Sequence, residues 1–143
     1  MMFVDASVIV AILNEEPGAE ELEKRLAAAT GPLYVSPLVR FEAVQGLARA
    51  SAEAIQKNSK PTPGMLAQAR DTVDAFVTEI AGKEIMISGD IGNRAIEASM
   101  KYGKAVGHKA DLNFGDCFAY ACAKAHRLAL LYKGNDFSQT DLA

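Results

Sequence analysis

The chain has 143 residues, 15 Lys and Arg against 18 Asp and Glu, and a formal charge of −3; half of it is hydrophobic and 23% is charged. That suits one domain, 1–143, with chain enough for a core that needs no disulfide or metal staple. The charge argues against a chain that holds polyanions by bulk positive charge, and no run approaches the roughly 18 apolar residues of a membrane span.

Met2-Phe3-Val4 reads as a buried strand with Asp5 at its end, and Ser7 to Leu13 as a short helix. Glu16-Pro17 opens a second helix whose Ala19, Leu22, Leu26 and Ala29 form one apolar stripe. Gly31-Pro32 ends it, and Leu33-Tyr34-Val35 is a second strand. Ser36-Pro37, a cap followed by Pro in the first turn, starts a helix to about Ala52. A polar loop over 53–62 follows, then Thr62-Pro63 starts a long helix that Gly82 stops. Glu84 to Ile87 is a third strand, and Ser88 caps a helix through Ile91, Ala95, Ala98 and Met100. Gly103 to Ala110 is a flexible basic loop. Asn113, with Asp116 three residues on, caps a helix to Arg127. Leu128 to Tyr132 is a fourth strand, and Gly134-Asn135-Asp136 a turn. Strands alternating with helices predict an α/β fold around a short parallel sheet, with ligands outside the carboxyl ends of its strands.

Four acids sit where solvated charges do not belong. Asp5 interrupts an apolar run and either caps the next helix, helped by Ser7, or serves a site. Glu42 interrupts Leu38 to Val44, either exposed or paired with Arg40 or Gln45. Asp116 opens an apolar helix, where the macrodipole alone would favour it. Asp136 is a turn residue on its simplest reading. Carboxylates converging at strand ends stay ionised only around cations, and Mg²⁺ or Mn²⁺ takes such oxygens together with water and phosphate. That is the layout of metal-assisted phosphodiester hydrolysis. Rival chemistries lack their parts. His108 and His126 are too few and poorly placed for paired acid–base work, and neither a nucleotide-binding glycine loop nor a nucleophile elbow is present. Cys117 and Cys122, about 8 Å apart on one helix, cannot form a disulfide and read as small buried side chains. With no signal peptide before Asp5, a cytoplasmic protein is expected.

Phe3-Val4-Asp5-Ala6-Ser7, Glu42 in the helix after strand two, Asn113-Phe114-Gly115-Asp116-Cys117 and Lys133-Gly134-Asn135-Asp136-Phe137 lie in the order of a known pattern. Together they resemble the PIN-domain ribonucleases, specifically the VapC-type toxins of bacterial toxin–antitoxin modules, over the whole chain. The resemblance implies a three-layer α/β/α fold and a magnesium-dependent endoribonuclease, manganese being possible. Its substrate would be structured RNA such as transfer RNA, and its effect an arrest of translation. Asp5 and Asp116 would be the principal metal ligands, Glu42 a ligand or an orienter of the attacking water, and Asp136 an assistant. Ser7 and Asn135 would support them, and Asp111 is a rival for the last acidic place. A VapB-type antitoxin and a homodimer are further implications. The alternative is a non-catalytic PIN-like module that binds RNA or protein. An aspartyl phosphatase is disfavoured, since Ser7 stands where its second acid would.

The charge is unevenly spread. Residues 101–133 hold six basic side chains (Lys101, Lys104, Lys109, Lys124, Arg127 and Lys133) against Asp111 and Asp116. Setting the four site acids aside leaves 15 basic against 14 acidic residues. A net negative chain is therefore compatible with a polyanionic partner.

Overall fold

A computed structural model describes all residues, 1–143. Four strands, β1 (Met2–Val4), β2 (Leu33–Val35), β3 (Lys83–Glu84) and β4 (Ala129–Leu131), form one sheet in the order β3-β2-β1-β4. Every pairing is parallel, with Phe3 opposite both Tyr34 and Leu130. β1 is therefore central, and Phe3 and Val4 are wholly buried, as a strand covered on both faces requires. Six helices flank the sheet: α1 (Ala6–Leu13), α2 (Ala19–Ala28), α3 (Pro37–Ile55), α4 (Pro63–Glu79), α5 (Gly89–Tyr102) and α6 (Phe114–Ala125). α3 packs on α1 and α4, and α5 packs on α6. No helix is long and apolar enough to cross a membrane.

Helix starts follow the expected chemistry. The Ser36, Thr62 and Ser88 hydroxyls accept the N–H groups of Val39, Met65 and Ile91 at 3.1–3.2 Å. Asn113 and Asp116 form a reciprocal capping box.

Helix ends depart more often. α2 begins at Ala19 rather than Pro17, because Gly18 turns through a left-handed φ of +90°. α3 runs on to Ile55, so Glu53, Ala54 and Ile55, expected in the polar loop, are helical and only 56–62 connect. The Glu53 carboxylate accepts the Asn58 N–H, and the Ser59 hydroxyl donates to the Ala52 carbonyl, closing that end. α4 stops at Glu79 and α6 at Ala125, each followed by a residue with positive φ, Ala81 and Arg127. β3 is two residues of an edge strand rather than Glu84–Ile87, although the Ile85 N–H still reaches the Val35 carbonyl. The loop expected to be flexible at 103–110 contains a short 3₁₀ turn at Lys104–Val106. It is tied to Leu112 by Lys104 N–H, while Leu112 N–H reaches Tyr102. His108 braces it, its Nδ1 accepting the Ala110 N–H and its ring standing edge-on to Tyr102.

Strand order places the crevice. The chain leaves β1 for β2 and β3 on one side, then returns to the other side as β4. The reversal lies at the carboxyl ends of β1 and β4, where a parallel sheet leaves a ligand crevice.

Candidate active site

Asp5 stands where β1 ends, with extended backbone that makes it the cap of α1. The Ser7 N–H and hydroxyl both donate to its Oδ2, at 3.1 and 2.6 Å. The two readings open for this residue, helix cap and site acid, are thus compatible: one oxygen is spent on the cap. Asp116 repeats the arrangement. Its Oδ2 accepts the Asn113 N–H at 3.1 Å while its own N–H donates to Asn113 Oδ1. Both aspartates are buried, with 6% and 8% of their surface exposed.

Glu42 comes from α3, nearly two turns past the Ser36 cap, and is partly buried. Its expected partner is engaged elsewhere: Arg40 binds Asp74 at 2.7 Å and Glu84 at 3.7 Å. Glu42 instead lies against the backbone of Gly115, where any Cβ would coincide with its carboxylate. Gly115 is the functional residue that residue-by-residue reading passed over. The available signal was a glycine in the first turn of a helix, where it weakens the helix without forming a turn.

Burial and mutual repulsion dominate the electrostatics. Desolvation, then the charges of Asp5 and Asp116, push Glu42 up to about 7. Desolvation also pushes Asp116 up to about 7 against the lowering effect of the Asn113 N–H, with Asp5 and Asp136 adding to the rise. Asp5 is raised by burial more than its Ser7 bonds lower it, and Asp136 adds to the rise. None of the four acids is ion-paired to a Lys or Arg.

Asp136 belongs to the same group from an exposed position at the start of a 3₁₀ turn, Asp136–Gln139. Asn135 is exposed, and the recorded bonds to it use only its backbone carbonyl, which accepts from Ser138. Asp111, exposed and at a φ of +54°, is not among the charges acting on Asp5, Glu42 or Asp116. Cys117 and Cys122 are free and buried, and His126 ends α6 at the surface.

As the side chains stand, no three His, Cys, Asp or Glu groups are arranged to hold one metal ion. Mg²⁺ does not need three: it keeps several waters and is commonly held by one or two carboxylates plus substrate phosphate. Uncompensated carboxylates, hard oxygen donors all, fit such an ion. Asp5 and Asp116 could hold it, with Glu42 and Asp136 as further acids of the same cluster.

Known proteins resemble the chain along its whole length. The family model described as PIN domain matches residues 2–142. The chain is 57% identical to the VapC ribonuclease R02377 of Rhizobium meliloti over 99% of both chains. It is 33% identical to Ribonuclease VapC of Mycolicibacterium smegmatis over 99% of this chain and 98% of that one. Among solved structures, Mycobacterium tuberculosis VapC20, titled a sarcin–ricin loop cleaving toxin, shares the fold at a TM-score of 0.67 and 16% identity. That match covers 96% of this chain and 93% of that one. A toxin–antitoxin complex from Klebsiella pneumoniae aligns at a TM-score of 0.61 and 19% identity, over 99% and 94%. With a sheet reversal that gathers acids from four segments and relatives alike from end to end, this chain belongs to the PIN-domain family and, within it, to the VapC ribonucleases.

Proposed function

We propose that the chain, acting as one catalytic domain, is a Mg²⁺-dependent endoribonuclease toxin that hydrolyses structured RNA such as transfer RNA and so arrests translation. The observation that carries this reading is the cluster itself: Asp5, Glu42 and Asp116 drawn together, largely out of water, with no Lys or Arg to balance them. Such a group is stable as carboxylates only with a cation among them. Bound there, Mg²⁺ or Mn²⁺ would supply a more acidic water and offset charge on the phosphate and the leaving oxygen.

The chain's own residues do the rest. Asp5 and Asp116 would hold the ion, each having one carboxylate oxygen that its cap leaves unused. Glu42 would orient the attacking water and accept its proton. Asp136, at the rim, would hold a second water or ion. Ser7 keeps Asp5 in its rotamer. Since water is the nucleophile, the ribose 2′-hydroxyl is not needed, and preference for RNA rests on shape and unpaired bases. Phe41 beside Glu42 and Phe114 beside Asp116, 61% and 70% exposed, offer rings for such bases. Of the basic residues in 101–133, Lys124 and Lys133 are engaged by Asp141 and Glu16, and Arg127 follows the far end of α6. Lys101 lies over the Tyr102 ring, and Lys104 and Lys109, in the segment leading into α6, remain to meet phosphate.

The partners follow from the same reading. A VapB-type antitoxin would restrain the toxin by filling the acidic crevice with a basic side chain. Exposed Ile96 and Met100 on α5 and Val106 beyond it suit a second copy of the chain, hence a homodimer. Free, buried cysteines suit the reducing cytoplasm.

The test is cleavage of a transfer RNA pool by purified wild type, Asp5→Asn and Asp116→Asn proteins, with Mg²⁺ or with EDTA. Cleavage by wild type with Mg²⁺ alone is expected, each variant losing more than about 100-fold while keeping its fold. Undiminished cleavage in EDTA or by either variant refutes the metal mechanism. If wild type binds RNA without cutting under any divalent ion, the non-catalytic module is the better reading.

A further inference from the structure

Lys133 is the last residue before the turn that carries Asp136, and it is held twice. Its backbone N–H donates to Ser7 Oγ at 3.0 Å, and its ammonium binds Glu16 Oε1 at 2.6 Å. Both partners lie in the segment that begins with Asp5, more than a hundred residues away in sequence. Glu16 is itself placed by its N–H, which donates to the Ala11 carbonyl at the end of α1.

The bond to Ser7 also decides which way the hydroxyl points. A hydroxyl has one proton to give. With the Lys133 N–H donating to its oxygen, that proton is directed to Asp5 Oδ2, the observed 2.6 Å bond. Beyond Lys133, the Gly134-Asn135-Asp136 span is exposed and passes through a φ of +97° at Gly134. It is next held at Phe137, which is 1% exposed and stacks edge-on against Tyr132. The span is thus clamped at its two ends, Lys133 and Phe137.

We infer that Glu16 and Lys133 are positioning residues: their ion pair holds the Lys133 backbone against Ser7, and so sets both the Asp5 rotamer and the stance of Asp136. An isolated ion pair of this exposure adds little to stability. Its weight here lies in geometry, as with other partners that orient a metal's ligands. The inference rests on the reading of these acids as a metal site.

The experiment is a Mn²⁺ titration by calorimetry of wild type, Glu16→Gln, Lys133→Met and the charge-swapped Glu16→Lys/Lys133→Glu protein. Thermal melts, hydrogen exchange at the Lys133 amide and RNA cleavage against Mg²⁺ concentration accompany it. Each single variant is expected to weaken Mn²⁺ binding about tenfold and to raise the Mg²⁺ needed for half-maximal cleavage equally. KM for RNA and the melting temperature should hold, the Lys133 amide should exchange faster, and the swap should recover most of the loss. Wild-type Mn²⁺ affinity in both single variants, or a loss that the swap does not recover, overturns the inference alone. Absence of Mn²⁺ binding by wild type overturns the metal site itself, and this inference with it.

Discussion

Gly115 and Glu42 share one volume, and that is the site's narrowest constraint. Gly115→Ala would gain helix propensity, about 1 kcal/mol, yet force the Glu42 carboxylate or α6 aside. Loss of cleavage with little change in melting temperature is expected, read by a kinetic assay beside a thermal melt; full activity would show that Glu42 need not lie there. The acids also set a pH dependence. Folded Glu42 and Asp116 bind protons up to about 7, whereas the unfolded groups release them near 4.5 and 3.8. The folded state holds more protons across that interval, so without metal these groups make stability fall as pH rises through it. Glu42→Gln should therefore stabilise the metal-free protein at pH 8 by on the order of 1–2 kcal/mol, discounted for solvent access, and do nothing comparable at pH 4. Melts at the two pH values check this. At this scale the sequence was informative about which acids the fold brings together, because a charge inside an apolar run is visible in one dimension. It was silent on Gly115 and on the engagement of Arg40 by Asp74, which are facts of two helices meeting.

Among the elements, helix starts were legible except that of α2, and most helix ends were not. Ser36-Pro37, Thr62-Pro63, Ser88 and Asn113 carry their cap chemistry in the side chain itself. The ends of α3, α4 and α6 depend on backbone turns at Asn58, Ala81 and Arg127, residues with no strong preference for positive φ except Asn. β3 is short because only Lys83 and Glu84 pair with β2, Ile85 adding a single bond to Val35, which no local pattern in Glu84-Ile85-Met86-Ile87 announces. Caps that double as site scaffolding make a prediction of their own. Asn113→Ala removes the cap and the partner of the Asp116 N–H, costing about 1 kcal/mol. It should also weaken metal binding, whereas Ser88→Ala, at a helix start that carries none of the four acids, should cost similar stability and leave metal binding alone. Chemical denaturation with a parallel Mn²⁺ titration separates the two.

For the whole molecule, the order β3-β2-β1-β4 brings Asp5 at the end of β1 beside the turn after β4 and the start of α6. Alternating strands and helices implied the parallel sheet; the resemblance of four spaced motifs implied which ends would meet. The molecule so assembled carries a repulsive pocket that a divalent ion would relieve. Saturating Mg²⁺ or Mn²⁺ should raise the melting temperature, by about 2.7 kcal/mol of stability at a hundred times the dissociation constant, and more clearly at pH 8 than at pH 5. The chemistry of the cut ends is the most direct check on water acting through a metal-held carboxylate cluster. RNA cut by the wild-type protein in Mg²⁺ should carry no 2′,3′-cyclic phosphate and should still be cut when the scissile ribose is 2′-O-methylated. Cyclic-phosphate ends, formed equally in EDTA, would contradict it.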